Sequence, residues 1–171
     1  MSKPIKPNPP SVSRESAKKI NQSVNTSQRK SDSQHNSQQD ENIVKLIKSK
    51  IESLKEGLKT YPIRELVEHA EKFGPYLKLQ RLETNQIRKF LDAINRLKAE
   101  LAETGDFSKI ETEVVLLKPK LAYAAARQRA AKPLNDVMSV AIDVVRDKED
   151  FERLVQLIES IIAYHKAEGG K

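Results

Sequence analysis

Five cations, Lys118, Lys120, Arg127, Arg129 and Lys132, fall in the run LKPKLAYAAARQRAAK (117–132), which contains no acidic residue. Basic side chains without carboxylates among them suit one chemistry above others: holding the phosphates of a polyanion by charge and reach, without reading its sequence. The alanine-rich backbone favours helix, and residues three, four or seven apart share a helix face. That spacing puts Lys120, Tyr123 and Arg127 on one flank and Lys118 with Arg129 on the other. Val114, Leu117, Leu121, Ala124 and Ala125 form the apolar strip between them. Such a helix docks on a core by its strip and offers positive charge along both rims. The plain alternative is a solvated helix edge, but the uninterrupted positive sign, in a chain that elsewhere mixes Lys with Glu, favours a binding face.

Other chemistries find little material. The densest acidic group, DKEDFE (147–152), is accounted for as the capped, acidic start of a helix. His35, His69 and His165 lie apart in sequence and form no HExxH arrangement, so no metal site is expected. Walker, GxSxG and GxGxxG motifs are absent, and no cofactor is expected. With no Cys, there are neither disulfides nor thiolate nucleophiles. An enzyme is the least supported class. The lack of Trp and the 5% aromatic content also argue against a base-stacking platform.

The 171 residues carry a formal charge of +7, which attracts nucleic acid or an anionic membrane without choosing between them. Residues 1–42 hold seven Lys or Arg against four Asp or Glu and are rich in Ser, Gln, Asn and Pro. Their few aliphatics are too sparse to offset the entropy of ordering, so they are expected to be a disordered basic tail. No apolar run resembles a membrane span or a signal peptide core, and a cytoplasmic protein with no membrane partner is expected.

From residue 43 to 171 the spacing predicts a helical domain. Ile43, Ile47, Ile51, Leu54 and Leu58 make a first stripe; Ile63, Leu66, Val67, Ala70 and Phe73 make a second, expected to end at Gly74–Pro75. Thr84 reads as the N-cap of a helix running to about Glu103, with Ile87, Phe90, Leu91, Ile94, Leu97 and Leu101 inward. Gly105 and Asp106 mark the next turn, and Pro119 predicts a kink or break near Leu116. Pro133 opens another helix and Asp147 caps the last. The expected architecture is all-α, a compact bundle of about five to six helices.

The segments QIRKF (86–90), LKPKLAYAAAR (117–127) and FERLVQLIESIIAYHKAEGGK (151–171) resemble the small subunit of type III-A CRISPR effector complexes, the Csm small subunit. The resemblance covers about residues 60–171. It implies a non-catalytic helical protein of an antiviral ribonucleoprotein, present in more than one copy and self-associating along the complex. It further implies contact with the backbones of guide RNA and target RNA, and with the backbone and large subunits. Carried onto this chain, the RNA-binding positions are Arg88, Lys89, Lys118, Lys120 and Arg127; Arg129 is added by the charge argument alone. Guide pairing supplies specificity in such machines, so a helper subunit needs shape and charge only. Gln86 is either a further sugar or phosphate contact or a first-turn residue left in water. Tyr123 and Tyr164 read more readily as packing residues with a wet hydroxyl than as RNA contacts. The competing function is a helical protein–protein scaffold or adaptor that does not touch RNA.

Overall fold

The computed structural model describes residues 43–170, within one compact unit, Asp40–Lys171; the expected tail, 1–42, lies outside the described residues. No strand occurs among them. A helix through 43–52, here α1, is followed by α2 (Ile63–Leu79), α3 (Arg88–Thr104), α4 (Glu111–Val115), α5 (Leu117–Arg127), α6 (Lys132–Asp143) and α7 (Lys148–Ala167). The fold is all-α.

The helix faces follow the apolar spacing. Ile43, Ile47 and Ile51 of α1, Leu66, Ala70 and Phe73 of α2, and Phe90, Ile94, Leu97 and Leu101 of α3 are all buried in one core. Each such Ile, Leu or Phe side chain contributes about 1.5–3 kcal/mol on removal from water. The long α7 adds Phe151, Leu154, Val155, Leu157, Ile158 and Ile161 to this core and packs most extensively on α2.

Two boundaries differ from expectation. α2 does not stop at Gly74–Pro75 but continues to Leu79, carrying Tyr76 and Leu77 into the core. Gly74 is a crossing point: a Cβ there would lie 2.6 Å from the amide nitrogen of His165, so its lack of a side chain lets α2 and α7 touch backbone to backbone. Pro75 costs the helix one amide, which this packing offsets. The α1 stripe also breaks early, since helix ends at 52 and Leu58 reaches the core from a 3-10 turn, Leu58–Thr60. Gly57 precedes that turn at φ 95°, where a Cβ would lie 2.5 Å from the Asp150 carboxylate.

Asp150 explains that closeness. It is fully buried and accepts backbone N–H bonds from Lys59 (2.7 Å) and Arg146 (3.0 Å), fastening the α1–α2 connection to the start of α7. Asp147 caps α7 by accepting from the Asp150 amide, as expected, and also pairs with Lys59. The acidic run is therefore a structural clasp. Among the described residues no group of His, Cys, Asp or Glu is arranged to hold a metal, and no helix is long and apolar enough to cross a membrane.

The two buried histidines are structural as well. The Tyr61 hydroxyl donates to His69 Nδ1 at 2.5 Å, and burial lowers the His69 pKa below its ordinary value while raising that of Tyr61. Both groups therefore sit neutral. His165 donates from Nε2 to the Leu82 carbonyl at 2.7 Å, tying α7 to the connection between α2 and α3.

Candidate nucleic-acid interface

The connection before α3 sets one wall of the site. The N-cap here is Glu83 rather than Thr84, and residues Thr84–Ile87 form a 3-10 turn before α3 begins at Arg88. A capping box closes the turn, with Gln86 Oε1 accepting from the Glu83 amide at 3.3 Å. Buried Ile87 and Phe90 anchor this corner, leaving Arg88 and Lys89 exposed.

The opposite wall is α5. Pro119 breaks the preceding helix at Leu116, as its missing amide predicts, and α5 starts afresh at Leu117. Leu117 and Leu121 are buried, which turns Lys120, Tyr123 and Arg127 outward. Together the walls enclose a groove of about 220 Å³ lined by Gln86, Lys89, Lys120, Tyr123, Arg127 and Gln128, over a floor that includes Ile87 and Phe90. Among the described residues its lining holds three cations and no carboxylate. Tyr123 is 60% exposed, and the Arg127 guanidinium lies 5.6 Å from its ring centroid while donating to its hydroxyl at 3.0 Å. That pairing leaves a flat aromatic and a positive fork side by side on one surface. Arg96 donates to Glu113 and holds that carboxyl below the ordinary carboxylate range, with a smaller pull from Lys120.

A protein-family model described as Csm2 Type III-A matches residues 60–171. The chain belongs to the Csm2 type III-A family. Family membership makes it a small subunit of a type III-A Csm complex, alongside other Csm subunits. A curated relative, the "CRISPR system Cms protein Csm2" of Streptococcus thermophilus, is 32% identical over 100 residues, 57% of this chain and 78% of that protein. The family match, at 60–171, begins after α1.

The Csm2-type region distributes the six expected RNA-binding residues over three places. Lys89, Lys120 and Arg127 meet in the groove described above, although their segments are separate in sequence. Arg88 is exposed beside them at the first position of α3. Lys118 instead pairs with Asp143 of α6 at 2.5 Å, within the same molecule. Arg129 does not share a helix flank with Lys118, because α5 ends at Arg127 and Gln128 turns to an extended conformation. It sits in a 3-10 turn, Arg129–Ala131, and lines a different groove. Gln86 is used by the capping box and still lines the cationic groove. Tyr123 is more exposed than a packing residue, whereas Tyr164 is half-buried against the core. No sequence signal distinguished Lys118, since its partner lies 25 residues away on another helix.

Proposed function

We propose that this Csm small subunit is a non-catalytic, cytoplasmic RNA-backbone clamp, holding guide and target RNA in the effector complex through the cationic groove between the start of α3 and α5. Copies of the 43–171 helical domain associate along the complex and pack against its backbone and large subunits. The observation that carries the reading is the convergence of Lys89 with Lys120 and Arg127 in one groove without a carboxylate. Such a groove suits a phosphate chain and has no means of reading bases, which guide pairing already reads. Tyr123 adds a surface on which an unpaired base or ribose rests.

The test is RNA affinity across a salt series for the wild-type chain and for Lys120→Glu with Arg127→Glu, alone and assembled with the other Csm subunits. Each lost phosphate contact is worth about fivefold near 0.1 M salt, so the double variant is expected to bind about 25-fold more weakly, with a shallower salt dependence. Unchanged affinity in both settings, with helicity intact, contradicts the reading.

One observation favours the alternative of a protein-only scaffold. Val115 and Leu116, adjacent at the α4–α5 break, are 56% and 46% exposed, an apolar step of the kind a partner covers. On that reading, Leu116→Glu abolishes assembly, while the cationic variants assemble and the assembled complex binds RNA normally.

A further inference from the structure

The turn that ends α5 is also the wall of a second groove. Arg127 and Gln128 line the first; Arg129 and Ala130, next along the chain, line the second, joined by Lys132 of α6 and Lys45 and Lys48 of α1. This groove is about 650 Å³, three times the volume of the first by the same measure, and within the roughly 300–1,000 Å³ of ligand-holding clefts. Among the described residues, four cations face one carboxylate, Asp136. Lys48, Arg129 and Lys132 make no ion pair among the described residues. Among the described residues, the side-chain amide of its neighbour Asn135 donates to Asp136 at 3.5 Å.

Lys132 and Lys48 are not explained by the fold. Lys132 is the first residue of α6, where positive charge opposes the helix dipole, and the first turn of α6 carries no acid to relieve it. Lys48 lies on α1, whose opposite face already docks through Ile43, Ile47 and Ile51. α1 stands before the residues that match the family, so one wall of the groove is supplied by a segment beyond the matched region.

We propose that this groove is a second RNA-phosphate site, continuing across the Gln128–Arg129 turn the strand path that begins at Lys89, Lys120 and Arg127. The proposal rests on the reading of the first groove as an RNA-backbone surface. A strand long enough to engage both grooves makes its second contact intramolecularly, so its affinity exceeds that of a strand confined to one. The second groove thus gives this subunit a length-dependent grip on RNA.

The experiment measures binding of oligouridylates of about 6 and about 20 nucleotides, chosen to fill one groove or both, to the full chain. The variants are Lys48→Glu with Lys132→Glu for the second groove and Lys120→Glu with Arg127→Glu for the first. A glutamate at position 132 suits the start of α6, so loss of fold is not the expected consequence. The second-groove variant is expected to bind the long probe about 25-fold more weakly near 0.1 M salt and the short probe within twofold of wild type. Unchanged long-probe affinity in that variant, while the first-groove variant loses binding, overturns the second site and leaves the first standing. So does a variant that keeps RNA affinity but no longer joins the other Csm subunits, which makes the groove a protein-facing surface. If neither variant alters RNA binding, the reading of the first groove fails and takes this inference with it.

Discussion

Helix α3 forms a wall of two grooves with opposite electrostatic outcomes. At its start, Lys89 faces Lys120 and Arg127 of α5, with no acid in the lining. Further along, Lys98, Leu101 and Ala102 face α7 across a groove of about 380 Å³, whose rim holds Lys98 and Lys148 but also Glu152 and Glu159. There Lys98 pairs with Glu159 at 2.6 Å, and Lys148 reaches Glu152 at 4.0 Å. Both grooves have an apolar floor and basic side chains. Only the first leaves its cations available to a partner, so pairing rather than the number of lysines marks the binding surface. Exposed pairs such as Lys98–Glu159 are worth little to stability, typically about 0.2–1 kcal/mol, but they cancel the field that draws phosphate.

The contrast can be broken from either side. Gln86→Glu with Gln128→Glu is nearly isosteric and keeps the capping box, yet places two carboxylates in the cationic groove. Its RNA affinity is expected to fall about 10- to 30-fold near 0.1 M salt. Filter binding or fluorescence anisotropy reads this directly, and an unchanged affinity argues that the groove is not the contact surface. In the other direction, Glu152→Gln with Glu159→Gln strips the partners from Lys98 and Lys148. A gain of about twofold in RNA affinity is expected, from general attraction rather than a built site. A gain equal to the loss above would mean that net charge alone governs binding.

A smaller change sharpens the position of Lys118. Asp143→Asn releases that lysine from its ion pair at the far side of α5. RNA affinity is expected to rise by at most about fivefold, the value of one added phosphate contact. A rise of that size would restore Lys118 to the surface that the charge pattern assigned it. No change would confine the RNA to the Lys89 side.

Acidity should separate fold from site. Burial lowers the His69 pKa below its ordinary value of about 6.5, so below that pH the unfolded chain binds the proton that the folded chain resists. Stability is therefore full above about pH 6.5 and falls as the pH drops from there through the lower folded value. Urea midpoints between pH 7.5 and 5.5 should show this fall, and His69→Gln should lessen it. Among the described residues no histidine lines the cationic groove, so RNA affinity of the folded protein is expected to stay level over the same interval.

Local chemistry made much of the fold legible. Gly105 ends α3 in the left-handed conformation at φ 67°, Asp106 accepts from the Ser108 amide, and Pro119 breaks the helix at Leu116. Each of these acts within a few residues of itself. What escaped the sequence depends on partners far along the chain. Gly74 and Pro75 look like a helix end until α7 is seen lying against Gly74. The Asp150 carboxylate meets the Lys59 amide across 91 positions, and His165 meets the Leu82 carbonyl across 83. The candidate site divides the same way. The turn outward of Lys120, Tyr123 and Arg127 follows from burial of Leu117 and Leu121, but the sorting of Lys118 and Arg129 away from them follows from Asp143 and from the extended Gln128.

The most direct test compares equal charge reversals on the two sides of α3: Lys89→Glu with Lys120→Glu against Lys98→Glu with Lys148→Glu, each measured for RNA affinity over a salt series. The first pair is expected to weaken binding about 25-fold near 0.1 M salt and to lower the slope of log affinity against log salt by about 1.4, while the second weakens it by no more than about fivefold, from general attraction alone. Equal losses in the two variants would contradict it, because the RNA would then be answering to net charge and not to the groove between the start of α3 and α5.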